Sequence, residues 1–259
     1  MTSEDGRVDV VAVAPHPDDI ELTCGGTLAK LVSQGYTVGI IDLTTGEPTP
    51  RGSEETRLKE AEEARRVLGV QLRVNLGLPN RVLMDGPDVR FALGAQLRKW
   101  RPRVMITVAG RTPAASPDHH QAHLLAEAGR FYSQLTKWDD RFGGTAAYRV
   151  PQLVYAPLPF DAEQRLWHST FVIDITDTMP QKLAAVRAYQ SQFDESRAKM
   201  VDHFLTGSNA YHGARCGFTY GEFFALPQPL GATDLVSLVA GAGGSAGQHS
   251  PGKDHLPMG

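Results

Sequence analysis

The sequence predicts an α/β fold: a single Rossmann-like domain with a mainly parallel sheet and helices on both faces. Three observations predict it. Short apolar runs such as VVAVA lack the alternation of a half-exposed strand, as expected for strands covered on both sides. Longer amphipathic stretches separate them, so the order reads β-α-β-α. The chain has 259 residues, enough to bury one substantial core.

The elements follow in order. VDVVAVA, residues 8–14, is the first strand, interrupted only by Asp9. CGGTLAKLVSQGY reads as a loop and a short helix ending at Gly35, and TVGIIDLT as a second strand. SEETRLKEAEEARRVLGV is a helix with Ser53 as N-cap, acids in its first turn and Gly69 just past its end. DVRFALGAQLRKWRP is a helix stopped by Pro102, RVMITVA a strand, and DHHQAHLLAEAGRFYSQL another helix. After about residue 145 the rhythm loosens. PQLVYAPLP and TFVIDIT read as strands that extend the sheet, and TMPQKLAAVRAYQSQF as a helix. The domain is thus expected over residues 1–230, followed by a Gly/Ser/Pro-rich tail, 231–259, expected to be disordered, with His249 and His255 as solvated tail residues.

Composition narrows the function. With 26 Lys plus Arg against 29 Asp plus Glu and no basic block, nucleic acid is not an expected partner. No apolar run approaches the roughly 18 residues of a membrane span, and MTSEDGRVDV lacks the features of a secretory signal, so neither a membrane association nor export is expected and the predicted location is cytoplasmic. Cys24 and Cys216 are too few for a disulfide framework and are expected as reduced, packed thiols. Trp100, Trp138 and Trp167 are read as packing residues.

The chemistry begins at APHPDDIE, residues 14–21, directly after the first strand. Neighbouring carboxylates repel unless a cation or shared proton offsets their charge. His16 and Asp19 therefore point to a metal, at the carboxyl end of a strand where α/β sites form. A second cluster, Asp118, His119, His120 and His123, follows the strand VMITVA at the same sheet edge. Two imidazoles and one carboxylate would make a three-ligand zinc site with one position open, and Asp18 would remain to accept a proton. His119 and His123 share a helix face four residues apart, so His123 is a rival third ligand, a partner behind the ligands, or a helix residue facing a polar cleft. Asp18 and Asp19 could instead cap the following helix. CGGT near a strand end lacks the Gly-x-Gly-x-x-Gly run of a dinucleotide binder.

APHPDDIEL with the downstream PDHHQAH resembles the zinc-dependent deacetylases related to LmbE and PIG-L, which remove acetyl from N-acetylglucosamine conjugates. The resemblance runs from Val8 to about Phe224. RGSEETRLKEAEEARRVLGV, NLGLPN and AYQSQF are similar to the branch that deacetylates N-acetylglucosaminyl malate in bacillithiol synthesis. It implies His16, Asp19 and His119 as ligands to Zn2+, Asp18 as general base, a small-molecule N-acetyl amino-sugar conjugate as partner, and a homo-oligomer. It also implies a departure: Ser116 stands where the family usually has a histidine that helps to hold the oxyanion or the leaving group. His212, His120 and Arg215 are the candidates to fill that gap. Arg51 and Arg57 are expected to grip substrate, with Glu47 orienting one of them, although Arg57 could equally be a solvated helix residue paired with Glu54 or Glu60. The alternatives are a deacylase of another N-acyl sugar or secondary metabolite, and a non-catalytic metal- or sugar-binding relative.

Overall fold

In the computed structural model, which describes residues 6–109, 115–159 and 169–234, the first apolar run becomes strand β1 (Val10–Ala14), buried at every residue. Parallel to it on either side lie β2 (Val38–Thr44) and β4 (Val104–Ala109). Two further parallel strands, β3 (Leu72–Leu78) beside β2 and β5 (Gln152–Pro157) beside β4, extend the sheet. β6 (Ser169–Asp174) and β7 (Gly221–Leu226) complete it in the order β3-β2-β1-β4-β5-β7-β6, with β7 antiparallel to both of its neighbours. The chain leaves β1 in one direction and returns to β4 on its other side. Strand order therefore reverses between β1 and β4, where a crevice opens at the carboxyl edge of such a sheet.

Six helices cover the strands: α1 (Asp19–Ser33), α2 (Glu54–Leu68), α3 (Pro87–Trp100), α4 (Asp118–Tyr132), α5 (Met179–Arg187) and α6 (Glu195–Ala214). α1, α2 and α5 pack together, and α3 packs on α4. Right-handed crossovers explain the split, because reversing the winding direction moves the later helices to the opposite face. Ser53 caps α2 by accepting from Thr56 N–H, and Gly69 ends it with φ 72°, as the sequence predicts. Trp100 packs so closely on β2 that a Cβ at Gly39 would lie 2.7 Å from its ring. No helix among the described residues is long and apolar enough to cross a membrane. The described residues through Pro227 form one compact unit, and 228–234 fall outside that unit; His249, His255 and Trp167 lie outside the described residues.

Several elements differ from expectation. CGGT is not a loop: α1 runs through it, broken at Cys24, whose φ of −137° and ψ of 16° are not helical. That break frees two amides, and Gly26 and Thr27 donate to the Glu222 carboxylate at 3.0 and 2.7 Å. The buried Lys182 ammonium lies 2.6 Å from the same carboxylate. A buried ion pair thus replaces the hydrogen bonds that the kink gives up. β3, α6 and β7 also escape sequence reading. β3 carries Arg73 and Asn75 at an edge, and α6 buries only Leu205, Asn209, His212 and Gly213 of its twenty residues, so neither shows a clear period. Cys24 is buried as expected, but Cys216 is exposed near the end of α6 rather than packed.

Candidate metal centre

β1 and β4 are adjacent parallel strands, so the loops that leave their carboxyl ends meet. Within the first loop Asp18 takes φ 109°, a conformation that side chains rarely adopt and that costs on the order of 1–3 kcal/mol. It occupies the N-cap position of α1 yet makes no capping bond with its side chain. Instead its carboxylate joins those of its neighbours in one cavity of about 500 Å3, lined by His16, Asp18, Asp19, Arg57, Ser116 and His119 among others.

His16, Asp19 and His119 each offer a ligand atom, all within 4.8 Å of one another. Asp19 bridges the imidazoles, with Oδ2 3.2 Å from His16 Nδ1 and Oδ1 2.9 Å from His119 Nε2. Each ring is also held from behind. His16 Nε2 lies 3.2 Å from Asp118 Oδ2, and His119 Nδ1–H donates to the Ser116 carbonyl at 3.0 Å. Asp118 is itself fixed by the amides of Arg81 (2.6 Å) and Leu83 (3.3 Å). Ligating histidines are oriented in this way, one nitrogen facing the ion and the other tied to an oxygen.

The charges agree with the geometry. Burial works against a charged His16, but its bonds to Asp118 and Asp19 outweigh this and push its pKa up to about 10. Burial likewise opposes charge on His119, and Asp19 overcomes it. The Asp19 carboxyl, despite burial, is held well below the usual range by His119 and His16. A centre that draws two protons onto its imidazoles is one where a divalent cation can exchange for them, and two imidazoles with one carboxylate is a donor set that suits zinc. Asp18 behaves differently. Burial raises its pKa to about 7 against the pull of Arg57, and Asp19 adds to the rise. Two adjacent aspartates are thereby separated into one that stays ionised and one that can carry a proton near neutrality.

Arg57 is buried, not solvated. It donates to the Pro17 carbonyl at 2.7 Å and to Asp18 Oδ2 at 3.3 Å, bracing the strained residue from α2. Behind α1, Arg73 makes a two-pronged pair with Asp42 (2.7 and 2.9 Å) and reaches Glu21 at 2.7 Å, while Tyr189 donates to Glu21 at 3.0 Å. The first turn of α1 is thus tied to β2, β3 and the end of α5.

Other expected site residues lie elsewhere. Arg51 is exposed and pairs with Asp194 at 3.0 Å. Glu47 orients no arginine among the described contacts, because its carboxylate accepts from the Thr49 amide and hydroxyl at 2.5 and 2.8 Å. His212 lines a separate small cavity with Lys182, Asn209 and Glu222. His120 and His123 stack on each other at 6.4 Å, with His123 Nε2 3.7 Å from Glu127, and neither lines the metal cavity. Arg215 lies over the Tyr211 ring, 5.6 Å from its centroid. The Ser116 hydroxyl lines the cavity and accepts from Asp118 N–H at 3.3 Å. The structure adds Asn80 and Arg81, which line the cavity from the loop after β3; Asn80 Oδ1 is buried without a hydrogen-bond partner. Their signal was NLGLPN, a Pro-Asn turn at the end of a third strand on the same sheet edge.

Residues 11–128 match the family described as PIG-L: GlcNAc-PI de-N-acetylase. The diacetylchitobiose deacetylase of Thermococcus kodakarensis is 27% identical over 82% of this chain and 80% of that one. Two solved structures share the fold. The conserved protein TT1542 from Thermus thermophilus is 37% identical with a TM-score of 0.75, over 87% of this chain and 97% of that one. The N,N'-diacetylchitobiose deacetylase from Pyrococcus horikoshii is 28% identical with a TM-score of 0.73, over 84% and 82%. The matched segment spans both loops that build the triad, and the likeness extends beyond it over most of the chain: this protein belongs to the PIG-L family.

Proposed function

We propose that this chain is a zinc-dependent hydrolase that removes the acetyl group from an N-acetylated amino-sugar conjugate. The observation that carries the reading is the pairing of a compact His16–Asp19–His119 donor set with a second carboxylate, Asp18, outside that set and lining the same cavity. A bound zinc supplies Lewis acidity, polarising a carbonyl oxygen and lowering the pKa of water to about 7. Asp18 takes the proton of the attacking water and returns it to the leaving amine, a role open to a carboxylate that stands beside the donor set without belonging to it. Arg57 and the backbone at Pro17 hold Asp18 in place for that transfer. Ser116, which lines the cavity, donates a hydrogen bond to the developing oxyanion in place of the family's usual histidine, and Asn80 accepts one from the substrate through its unpartnered oxygen. The products are acetate and a free amino sugar.

The relatives named as deacetylases support the reaction class. The test is release of free amine by purified protein from N-acetylglucosamine, diacetylchitobiose and N-acetylglucosaminyl malate, the conjugate that the sequence resemblance implies, with bound zinc quantified and Asp18→Asn run in parallel. Turnover with about one zinc per chain, lost in Asp18→Asn without loss of zinc, is the expected result. Zinc bound with no turnover of any of the three would leave a metal-binding relative without this activity.

A further inference from the structure

The loop after β3 runs along the carboxyl edge of the sheet to reach α4, and three bonds pin it there. Asp118 accepts the amides of Arg81 at 2.6 Å and Leu83 at 3.3 Å, and Gln121 accepts that of Asp85 at 2.9 Å. At the first of these points Arg81 takes φ 65°. Glycine or asparagine enters that region readily, whereas a long side chain is strained in it, and such strain clusters where a side chain is used. The Asp118 oxygen that fixes Arg81 also lies 3.2 Å from His16 Nε2. The backbone of Arg81 is therefore set one carboxylate away from a metal donor.

Its side chain faces the cavity on the solvent side: Arg81 lines the wall and is nonetheless exposed. The other charged groups of that wall are already matched. Asp19 lies against His16 and His119, and Arg57 is committed to Pro17 and Asp18. Among the described residues none makes an ion pair or hydrogen bond with the Arg81 guanidinium, and no lysine lines the cavity. Beside it Asn80 presents a buried, unpartnered acceptor oxygen. The two neighbours thus offer an acceptor suited to a sugar hydroxyl and a forked donor suited to paired anionic oxygens. A substrate held by its acetamide at the triad extends outward through a cavity of about 500 Å3, and the portion beyond the sugar meets Arg81.

Building on the deacetylase reading, we propose that Arg81 is a specificity-determining residue, which grips an anionic group, carboxylate or phosphate, carried by the non-reacting portion of the substrate.

The experiment measures affinity by calorimetry in zinc-loaded Asp18→Asn, which needs no turnover. The methyl β-glycoside of N-acetylglucosamine is the neutral reference, against N-acetylglucosaminyl malate and N-acetylglucosamine 1-phosphate, and each is repeated with Arg81→Gln or Arg81→Lys added. At least one anionic compound should bind about tenfold tighter than the reference, the low end for hydrogen bonds to a charged group, and the preference should shrink as salt rises because the guanidinium is exposed. Arg81→Gln should bring the ratio to about one, and Arg81→Lys, which keeps the charge without the fork, should leave it in between. The anion that shows the preference identifies a carboxylate or a phosphate as the group read. Ratios below about threefold for both anions, or a preference that survives Arg81→Gln as it would if the anion sat on the zinc, overturn the proposal. Release of free amine from the three compounds by the parent protein is followed alongside. If none is hydrolysed, the deacetylase reading fails, and the calorimetric ratios still decide whether Arg81 reads an anion.

Discussion

Asp118 touches no reacting atom in the proposed mechanism, and replacing it with asparagine tests whether the metal ligands are set from behind. Its Oδ2 receives His16 Nε2 at 3.2 Å and the Arg81 amide at 2.6 Å, and its Oδ1 receives the Leu83 amide at 3.3 Å. An asparagine has one oxygen, which would take the doubly used Oδ2 position and turn its NH2 toward Leu83 N–H, two donors facing each other. The least costly arrangement therefore gives up the longest bond and weakens the bond to His16, because charge-assisted bonds are roughly twice as strong as neutral ones. Losses of this kind behind a ligand cost about 10- to 100-fold in metal affinity. The assay is zinc competition against a chromogenic chelator, with thermal unfolding of the metal-free protein as a control for folding. A zinc affinity within twofold of the parent protein, in a variant that folds normally, would refute the reasoning that Asp118 orients His16.

Other outcomes follow from the same contacts. Lys182→Met strands the buried Glu222 carboxylate and should destabilise the protein by about 3–5 kcal/mol in urea unfolding, with Lys182→Met/Glu222→Gln recovering part of the loss. Arg57→Lys keeps the charge but loses the fork that spans Pro17 and Asp18; one charged hydrogen bond of about 1.5–3 kcal/mol corresponds to a fall in kcat of roughly 10- to 100-fold with zinc content unchanged. Asp18 carries a pKa near 7 when folded against an ordinary value of 3.8, so the folded metal-free protein binds the extra proton between those pH values and loses stability as pH rises through them. Asp18→Asn should flatten that part of the profile and gain stability relative to the parent above pH 7; parallel profiles would contradict the reasoning that burial of Asp18 outweighs its pairing with Arg57. Ser116→Ala should lower kcat by about 100-fold while zinc stays bound, the usual cost of one oxyanion donor, and an unchanged kcat would remove Ser116 from the mechanism.

The buried strands and the first two residues of the candidate triad were legible because they depend on local pattern. Continuous apolar runs mark strands buried on both faces, and β1 and β2 are buried at every residue. Ser53 and Gly69 carried the capping chemistry of α2 in their own side chains and backbone. His16 and Asp19 could be named because they sit in the loop after a legible strand, whereas position left His119 and His123 as rivals and the family resemblance chose His119. What was hidden depends on partners distant in sequence. The helical course of α1 through CGGT rests on Glu222, nearly two hundred residues away, and on Lys182 beside it. Nothing in residues 24–27 announces a carboxylate waiting for their amides. Arg57 could not be placed for a similar reason: its spacing from Glu54 and Glu60 invites a surface pair, yet the turn at Gly46 and the end of β1 bring Pro17 and Asp18 within its reach. His212 was attractive only as an imidazole of unknown position, and the fold puts it beside Phe223 in another cavity.

The tie between Glu222 and the break in α1 also bears on how the centre comes into being. Synthesis delivers every metal donor by residue 119, while the carboxylate that stabilises the kink of the Asp19 helix lies on the last strand of the sheet. A growing chain therefore holds these side chains long before it holds the carboxylate that satisfies the break in the Asp19 helix. On the proposed zinc reading, a chain halted before residue 221, lacking β7 between β5 and β6, should hold zinc more loosely than the whole chain. In that sense the final strand works as a latch on a centre built almost entirely from the first half of the protein.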